Sequence, residues 1–320
     1  MNDHVPAITV LMPAYNTEAY IAEAIESILN QGFTDFEFLI INDGSTDGTL
    51  QIIESYTDPR IKYYTIENRG VTGALNFGLS LSRGTYIARF DADDVCYPQR
   101  LQVQFEFLEQ NPGYVLVGSE ADYIDQNGKY LFTYRFSDYE NDEIRTAAFK
   151  ECPFIHASVM YRKQAVIAAG SYDKDAITFE DHLLWRNLAS YGKMKNLHEP
   201  LIKVRFNAAS VTIDEKWRGP EFRKIKQDAV KRGSVTADEA KALQAIVKKQ
   251  DFKKYKEAAY YSMIAKKLLW NQYDPAKART HLRTAIRIMP LRREPYVLFL
   301  LSFLPEKMIK SIYHNVKKRS

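Results

Sequence analysis

The chain has 320 residues, 46% of them hydrophobic and 26% charged, with a formal net charge of +4 at pH 7. This length and composition predict one large α/β core and roughly a hundred residues for a second unit. Two cysteines, Cys96 and Cys152, exclude a disulfide framework and suit a reducing cytoplasm. The longest apolar run, Tyr296 to Leu304, is far shorter than the ~20 residues of a membrane span. Because residues 1–7 lack signal-peptide features, we expect a soluble or peripheral cytoplasmic protein.

Charge is divided unevenly along the chain. Residues 1–214 hold 18 Lys and Arg against 30 Asp and Glu, whereas residues 215–320 hold 26 against 10. Such asymmetry predicts two units with different partners, divided here into residues 1–214 and residues 215–320. The acidic first unit is a poor binder of nucleic acid, so no nucleic-acid partner is expected.

Apolar strands and amphipathic helices alternate through the first part of the chain. Strands are predicted at residues 8–12, 36–41, 61–66 and 86–90. Helices are predicted between them, the first capped by Asn16-Thr17 and ended by Gly32, the second running through Ile52, Ile53 and Tyr56, and the third covering residues 73–81. Alternation at this spacing indicates βαβ units and a parallel sheet.

The pattern loosens after residue 90. Helices are predicted at 98–109 and 182–191, strands at 114–118, 159–161 and 201–206, and a hairpin turn at Gln126-Asn127-Gly128-Lys129. Part of the sheet is therefore expected to be antiparallel. From Lys216 onward the pattern is helical and basic, and Asp274-Pro275 predicts the start of a helix with an apolar stripe that ends at Pro290.

Three carboxylates follow the fourth predicted strand, in Asp91-Ala92-Asp93-Asp94. The carboxyl ends of strands are where open α/β sheets bind ligands. Crowded carboxylates repel one another unless a cation lies between them, and a hard divalent ion with oxygen ligands meets that need. The tetrad therefore predicts a metal that is held for a diphosphate.

Five short motifs occur in order along the chain. They are Pro13-Ala14-Tyr15-Asn16, Asn42-Asp43-Gly44-Ser45-Thr46-Asp47, Asn68-Arg69-Gly70, Asp91-Ala92-Asp93-Asp94 and Phe179-Glu180-Asp181-His182-Leu183-Leu184-Trp185. Over about residues 8–212 this series resembles the motifs of family 2 glycosyltransferases. The resemblance implies a GT-A fold, α/β with a mixed, mostly parallel sheet flanked by helices and followed here by a C-terminal all-helical extension. It also implies a nucleotide-sugar donor, a UDP-sugar by default, a divalent cation (Mn²⁺ or Mg²⁺) and inversion at the anomeric carbon.

The same resemblance implies which residues hold the donor. They are Pro13, Ala14, Tyr15, Asn16, Asp43, Asp47, Asn68, Gly70, Asp91, Ala92 and Asp93. In this interpretation Asp43 contacts the nucleoside, Asp91 lies by the ribose and the metal, and Asp93 coordinates the cation, so Asp91 and Asp93 are the expected metal ligands. The cation would act as a Lewis acid for the leaving diphosphate. Asx-turn chemistry alone also explains Asp43 and Asp47.

Positive charge at the diphosphate is expected from Arg69 or Arg89, and the sequence leaves the choice open. A histidine that often completes the metal shell in related enzymes is replaced here by Asn207, whose amide oxygen can still ligate a hard cation. Arg205 and Ser210 are candidate contacts to phosphate or product.

Asp181 is the expected catalytic base, with Glu180 orienting the acceptor or supporting the loop, as the resemblance implies. Asp181 could instead be a helix N-cap. His156 could lie near the acceptor or be a structural residue, and Trp185 could stack on a sugar or belong to the core. Cys96 is interpreted as a small apolar residue, because no second Cys or His lies at metal-ligand spacing.

Basic residues flank two apolar segments near the C-terminus. They are Lys307, Lys310, Lys317, Lys318 and Arg319, beside residues 296–304 and 308–316. This tail is either a solvated helical appendage or a peripheral anchor on the cytoplasmic face of the inner membrane, since each cation near anionic lipid contributes ~1 kcal/mol. A lipid-linked acceptor would be found there, and a partner glycosyltransferase or a second copy of the chain are further candidate partners.

Together these patterns predict an inverting, metal-dependent glycosyltransferase that uses a saccharide or lipid-linked acceptor in cell-surface polysaccharide or glycolipid synthesis. The alternative is a non-catalytic nucleotide-sugar-binding or scaffolding subunit. A Rossmann dehydrogenase is a poor alternative, because Pro13-Ala14-Tyr15-Asn16 stands where a Gly-rich G-x-G-x-x-G turn is needed. A sugar nucleotidyltransferase would need a Gly-rich basic loop near the first strand, which is missing.

Overall fold

The computed structural model of the protein describes residues 4–206, 218–249 and 253–319, with side chains described for all of these except 253, 254 and 313–319. The described residues form two compact units that are not consecutive along the chain. The first unit contains residues 4–121, 136–204 and 220–246. The second contains residues 122–135, 205–206, 218–219, 247–249 and 253–319.

Within the described residues, nine strands form one mixed sheet. They are β1 (Ile8–Ala14), β2 (Phe36–Asn42), β3 (Ile61–Thr65), β4 (Tyr86–Arg89), β5 (Val95–Cys96), β6 (Tyr114–Ile124), β7 (Tyr130–Tyr134), β8 (Met160–Arg162) and β9 (Lys193–Arg205). The strand order is β3-β2-β1-β4-β8-β6-β9-β5, and β7 pairs with β6. Strands β3, β2, β1 and β4 run parallel, whereas β8 pairs antiparallel with both β4 and β6.

The central parallel strands β1 and β2 are buried on both faces, whereas the edge strand β3 is exposed after Ile61. Every residue of β2 is buried, and β1 is buried at all but one position. In register, Ile8 pairs with Phe36 and Ala14 with Asn42, so both strands end at the same level. This burial explains the continuous apolar runs in the sequence, because a parallel sheet is covered by helices on both faces.

The first unit also contains the helices that flank the sheet and two later helices. They are α1 (Ile21–Leu29), α2 (Thr49–Glu54), α3 (Gly70–Leu81), α4 (Arg100–Gln110), α5 (Asn141–Ala147), α6 (Lys163–Ala168), α7 (Glu180–Leu188), α8 (Pro220–Arg232) and α9 (Ala237–Lys248). The buried residues of the two later helices, α8 and α9, cluster with those of α7. Helix α3 approaches the sheet closely, since a Cβ on Gly78 would lie 2.2 Å from the Leu11 side chain. Trp185 is fully buried in the core cluster between α7 and the sheet.

The second unit is mainly helical. Its helices are α10 (Lys253–Lys267), a π-helical turn (Leu268–Gln272), α11 (Pro275–Ile288), α12 (Arg293–Leu301) and α13 (Glu306–Arg319). As the sequence predicts, the Asp274 side chain caps α11 by accepting a hydrogen bond from the Lys277 backbone N–H at 3.0 Å. Ala278, Leu282 and Ala285 of the predicted stripe are buried. The β6–β7 hairpin turns at Gly128, as predicted.

The predicted fold class is confirmed: a mixed, mostly parallel sheet flanked by helices and followed by a helical C-terminal region. One detail of the prediction was wrong. Asn16 and Thr17 do not cap α1, which begins at Ile21 after Tyr20, without a side-chain cap. Asn16 instead adopts a left-handed conformation with φ of 50°. Its side chain accepts a hydrogen bond from the Thr46 backbone N–H in the loop after β2. The sequence analysis also missed β5, α5 and α6, which are short.

Candidate functional site

The strand order reverses direction between β1 and β4, which is the position where open α/β sheets bind ligands. Strands β1, β2 and β3 follow one another outward to one side, and the chain then returns to place β4 on the other side of β1. The motifs after these four strands therefore meet at one edge of the sheet, the edge formed by the strands' carboxyl ends. The candidate site described below begins at this edge.

The acidic tetrad after β4 brings three carboxylates together. One carboxylate oxygen each from Asp91, Asp93 and Asp94 lie within 4.8 Å of one another. Asp94 is buried, and the other two are partly exposed. Three hard oxygen donors at this spacing, open to solvent on one side, fit a divalent cation that keeps further positions for water or phosphate. The predicted ligands Asp91 and Asp93 are thus placed together, and Asp94 is a third candidate that the sequence prediction did not include.

Arg89, at the end of β4, is the cation beside these carboxylates. Its guanidinium is 3% exposed and forms an ion pair with Asp91. Burial alone would lower the pKa of Arg89, but the Asp91 carboxylate outweighs it and the pKa is raised above its usual value. Arg89 therefore stays charged. The sequence left open whether Arg69 or Arg89 points inward, and the structure buries Arg89 at the carboxylates.

A second buried arginine supports the backbone of Arg89. Arg100 of α4 is fully buried, and its Nη2 donates hydrogen bonds to the carbonyl oxygens of Arg89 at 2.7 Å and Val159 at 3.2 Å. Its Nε donates to Gln104, whose amide donates to the Ser158 carbonyl at 2.7 Å. This network ties β4 to β8 directly beneath the acidic cluster. Its members also hold the site rigid, because buried polar groups with satisfied partners have one stable arrangement.

The loops after β1 and β2 are joined by side-chain hydrogen bonds. Asn16 accepts from the Thr46 backbone N–H at 2.8 Å, and its own backbone N–H donates to Ser45 Oγ at 3.1 Å. Asp47 accepts from the backbone N–H groups of Glu18 at 3.1 Å and Thr49 at 3.0 Å. The side chains of Asn16 and Asp47 thus act within the loops and hold the loops after β1 and β2 together.

Asp43 connects β2 to the loop that precedes α3. Its backbone N–H donates to the Ala14 carbonyl at 2.8 Å, and its buried carboxylate accepts from the Arg69 backbone N–H at 2.8 Å. Burial raises the pKa of Asp43, although hydrogen bonds from Arg69 and Gly70 oppose it. Asn68 accepts in turn from the Gly70 N–H at 3.3 Å, and Gly70 itself has open space around it. The predicted donor-binding residues of the first three motifs are therefore neighbours.

Glu180 and Asp181 begin helix α7. Phe179 is the N-cap residue and makes no side-chain cap bond, so the alternative that Asp181 is the N-cap is wrong. Asp181 lies in the first turn and accepts from the His182 backbone N–H at 2.6 Å. Its other oxygen accepts from the Cys152 thiol at 3.4 Å. Asp181 is thus a carboxylate held between α7 and the segment that leads into the 3₁₀ turn His156–Ser158.

Glu180 is a buried acid. It is 8% exposed, and its Oε2 has no hydrogen-bond partner within the part of the chain that the structure describes. Burial, followed by the charge of Asp181, raises the pKa of Glu180 to about 7. A buried carboxyl group whose pKa lies near neutral pH, next to a second carboxyl group, is a typical feature of an acid–base site.

A pH dependence of stability follows from Glu180. Between the usual glutamate pKa of 4.5, which the unfolded chain has, and the folded value of about 7, the folded state keeps a proton that the unfolded chain releases. Stability should therefore fall as pH rises through that window, by up to about 3 kcal/mol. Glu180→Gln should flatten the dependence, measured by urea denaturation at pH 5, 6, 7 and 8. The exposed Glu54→Gln is the control, and an equally steep fall in both variants would contradict this assignment.

An aromatic cluster links the Arg89 region to the acidic pair. His156 Nε2 lies 3.0 Å from the Tyr172 hydroxyl, and its ring packs edge-on against Trp185 at 5.8 Å. Burial, then the charge of Arg89, holds the pKa of His156 well below its ordinary value, so the imidazole is neutral. Asn76 of α3 fixes Tyr172 by a hydrogen bond in each direction, at 2.8 and 3.1 Å. Tyr172 and Asn76 are members of the site that the sequence analysis missed.

Several predicted positions fall elsewhere. The segment with Asn207 and Ser210 lies outside the described residues. Arg205 is buried in the second unit, where its Nη1 donates to the carbonyl oxygens of Asp125 at 3.2 Å and Gln126 at 3.3 Å. Cys96 is buried and its sulfur accepts from Arg100 Nη1 at 3.2 Å, as expected for a small residue of the interior.

Among the described helices, none combines the length and hydropathy needed to cross a membrane.

Known protein sequences resemble part of this chain. The model of the family described as glycosyl transferase family 2 matches residues 9–170. An uncharacterised glycosyltransferase of Methanocaldococcus jannaschii, MJ1057, is 36% identical over 206 residues, which are 62% of this chain and 71% of that protein. The O-antigen biosynthesis glycosyltransferase WbnJ of Escherichia coli is 31% identical over 63% of this chain and 81% of its own length. The match covers only about a third of the longer Rickettsia glycosyltransferases.

Solved structures share the fold. Residues 1–349 of TarS from S. aureus, in complex with UDP-GlcNAc, superpose with a TM-score of 0.56 at 17% identity, covering 96% of this chain and 91% of that one. The mannosyltransferase PcManGT of Pyrobaculum calidifontis, in complex with GDP-Man and Mn²⁺, gives a TM-score of 0.56 at 18% identity, covering 97% and 84%. At this identity the similarity establishes the fold only. The ligands of this chain have to be inferred from its own residues.

Proposed function

The chain belongs to glycosyl transferase family 2, and from that premise we propose that it is an inverting, metal-dependent glycosyltransferase that uses a nucleotide-sugar donor. The observation that carries the proposal is the Asp91–Asp93–Asp94 cluster at the reversal of strand order, with the Glu180–Asp181 pair nearby in the same unit. The first would serve the donor diphosphate and the second the acceptor hydroxyl. A UDP-sugar is the default donor. The division into a catalytic domain over 1–214 and a basic helical region over 215–320 stays a prediction.

On the donor side, Asp91 and Asp93 would hold the divalent cation, Mn²⁺ or Mg²⁺. When bound, such an ion supplies Lewis-acid stabilisation of the charge that develops on the leaving diphosphate. Arg89 keeps Asp91 in place and adds fixed positive charge at a buried position. Asp43, Asn68 and Gly70, together with Pro13, Ala14, Tyr15, Asn16, Asp47 and Ala92, would form the rest of the donor site.

On the acceptor side, Asp181 would remove the proton from the attacking hydroxyl. A positioned base of this kind contributes typically ~10²- to 10⁴-fold in rate. Glu180, which is about half protonated at pH 7 because burial raises its pKa to about 7, would orient the acceptor or support the loop. Direct attack on the anomeric carbon from the face opposite the leaving diphosphate then inverts its configuration.

The stereochemical outcome tests this proposal. Purified protein is incubated with α-linked UDP-, GDP- and dTDP-sugars, with Mn²⁺ or Mg²⁺, and the sugar that is released or transferred is followed by proton NMR. We expect one donor class to give a product that first appears as the β-anomer. A product that first appears as the α-anomer would contradict inversion. The absence of turnover with every donor would favour the non-catalytic scaffolding alternative.

The biological setting is proposed with the support of the relatives. The O-antigen enzyme among them supports a role in cell-surface polysaccharide or glycolipid synthesis, with a saccharide or lipid-linked acceptor. We further propose that the protein acts in the cytoplasm, as a peripheral protein on the inner face of the membrane where a lipid-linked acceptor is found. The second unit supplies the physical argument for that location.

Helix α12 carries an exposed apolar face. Tyr296, Val297 and Leu300 are 43%, 54% and 70% exposed, while Pro295 and Leu298 on the other side are buried. The neighbouring Leu291, Phe303 and Met308 are also more than half exposed. Contiguous apolar surface of this kind on a soluble unit marks an interaction site.

The positive charge near this exposed face of α12 supports the proposal that the face binds a lipid surface. Arg293, Lys307 and Lys310 are exposed next to it, and residues 215–320 hold 26 Lys and Arg against 10 Asp and Glu. Each cation near an anionic bilayer contributes ~1 kcal/mol, in addition to the burial of apolar side chains at the interface. Lys317, Lys318 and Arg319 of the predicted anchor lie beyond the side chains that the structure describes.

Liposome flotation tests the lipid surface. Leu300→Glu should abolish co-flotation with vesicles that contain phosphatidylglycerol, whereas Ile167→Glu, an exposed apolar position in the first unit, should leave it unchanged. Wild-type protein should not float with pure phosphatidylcholine. Flotation of Leu300→Glu at the wild-type level would overturn the assignment. A wild-type dimer that Leu300→Glu converts to monomer would show that a second copy of the chain uses this face.

A further inference from the structure

Helix α8 lies against the helix that carries the acidic pair. Phe222 near the start of α8 packs edge-on against Phe179, with ring centroids 6.1 Å apart and an interplanar angle of 87°. At the other end of α8, the Lys231 carbonyl oxygen accepts a hydrogen bond from Arg186 of α7 at 2.8 Å. Both ends of α8 are thus fixed to the region of α7. A side chain in the middle of α8 is therefore held at a defined place.

Lys226 is that side chain. It follows Phe222 by four residues and so shares its face of the helix. Its Nζ lies 5.8 Å from the centroid of the Phe179 ring, the residue directly before the acidic pair. The ammonium interacts electrostatically with Cys152, Asp181 and Glu180. A lysine from beyond residue 214 thus enters a cluster that the sequence motifs place entirely before residue 186.

The acidic pair needs such a cation. The titratable groups that face Glu180 and Asp181 are Arg89, Cys152, Tyr172, His182 and Lys226. Arg89 already pairs with Asp91. His182 donates from Nε2 to the Ala148 carbonyl at 2.9 Å, and burial, then the charge of Lys226, lowers its pKa to about 4, so it is neutral at pH 7. Among the described residues, Lys226 is therefore a second cation, besides Arg89, that can compensate the charge of the pair.

We propose that Lys226 is a positioning residue for the acidic pair: its ammonium compensates the negative charge beside Glu180 and so makes Asp181 available as the base. This inference rests on the proposed function. Without the ammonium, the pair would retain a proton to higher pH, because two adjacent carboxylates in a buried site resist joint ionisation. Burial lowers the pKa of Lys226, but the three acidic neighbours oppose that effect.

The pH profile of turnover tests the inference. Lys226→Met keeps the aliphatic stem and removes the charge, Lys226→Arg keeps the charge, and Lys224→Met is an exposed control on the same helix. With the donor that the wild type uses, Lys226→Met should shift the acidic limb of the kcat profile up by about one pH unit, which is about tenfold in kcat at a fixed pH on that limb. The KM for the donor should stay unchanged, and Lys226→Arg should restore the wild-type profile.

A merely structural role would instead lower kcat equally at every pH, or would not be rescued by arginine, and either result would overturn the inference. The Cys152 thiol provides a readout that needs no turnover, because Lys226 also faces Cys152. The pH midpoint of Cys152 alkylation, followed by peptide mass spectrometry, should rise in Lys226→Met and stay unchanged in Lys224→Met. If the pH midpoint of Cys152 alkylation shifts in Lys226→Met but the wild type turns over no donor, the position of the Lys226 ammonium is supported and the proposed function fails. An unshifted midpoint would show that the Lys226 ammonium does not act on Cys152 and the acidic pair.

Discussion

Asp181→Asn is expected to lower kcat about 10³-fold, within the ~10²- to 10⁴-fold range of a positioned general base. Asparagine matches aspartate in size and keeps one oxygen that can accept from the His182 N–H, and only the long 3.4 Å contact from the Cys152 thiol loses its acceptor, so the local fold should persist. It cannot take a proton from the acceptor. Donor affinity, measured by isothermal titration calorimetry with metal present, should therefore stay at the wild-type value while steady-state turnover collapses.

Asp142→Asn is the matched control. Asp142 is an exposed carboxylate in the first turn of α5, a helix start like that of Asp181, and its replacement should leave kcat unchanged. A kcat for Asp181→Asn within threefold of the wild type would remove Asp181 as the base. A loss of donor binding equal to the loss of turnover would show that Asp181 acts on the donor.

Arg89→Met is expected to cost roughly 3 kcal/mol of unfolding free energy and to abolish donor binding. Removing one partner of a buried ion pair costs about 3–5 kcal/mol, and the lower end applies because the Asp91 side chain keeps contact with solvent. The Arg89 guanidinium is 3% exposed and also faces Glu180, so its loss leaves more than one carboxylate without a compensating charge. The acidic cluster would relax, and the fixed charge at the diphosphate would be lost.

Urea denaturation measures the stability change, and calorimetry measures donor binding. Arg145→Met, at an exposed position on α5, should change neither. Arg89→Lys keeps the charge but lacks the planar fork that pairs with a carboxylate, so an intermediate stability is expected. Wild-type stability in Arg89→Met, with wild-type donor binding, would show that Arg89 plays no part in the site.

The parallel half of the fold could be predicted from the sequence because its physical signal is local. Strands β1 and β2 are buried on both faces, so they appear as continuous apolar runs, and Ile21, Ala24, Ile25 and Ile28 mark the buried side of α1. The carboxyl ends of parallel strands meet at one edge, so motifs after successive strands predict a shared site. For the same reason the sequence predicts that Asp91 and Asp93 lie at the same edge of the sheet as the loops that contain Asp43 and Asn68.

Other features depend on contacts between distant segments. Asn16 is a residue type that commonly caps helices, but its side chain accepts a hydrogen bond from Thr46, thirty residues later in the chain. Strand β5 has two residues and exists only because β9 pairs with it. Asn76 fixes Tyr172 across 96 residues, and Lys226 reaches the acidic pair from a helix whose sequence shows only basic, amphipathic character. No local pattern encodes such partners, so sequence reasoning alone could not identify them.

Metal-dependent donor binding tests the central claim most directly. UDP-GlcNAc and GDP-mannose are titrated into the wild type and into Asp93→Ala, each with Mn²⁺, with Mg²⁺ and with EDTA. The proposed site predicts that one donor binds the wild type only when a divalent ion is present, and that Asp93→Ala loses that binding under every condition while it unfolds at the wild-type urea concentration. Donor binding in EDTA that Asp93→Ala retains would contradict a catalytic metal site at the Asp91–Asp93–Asp94 cluster.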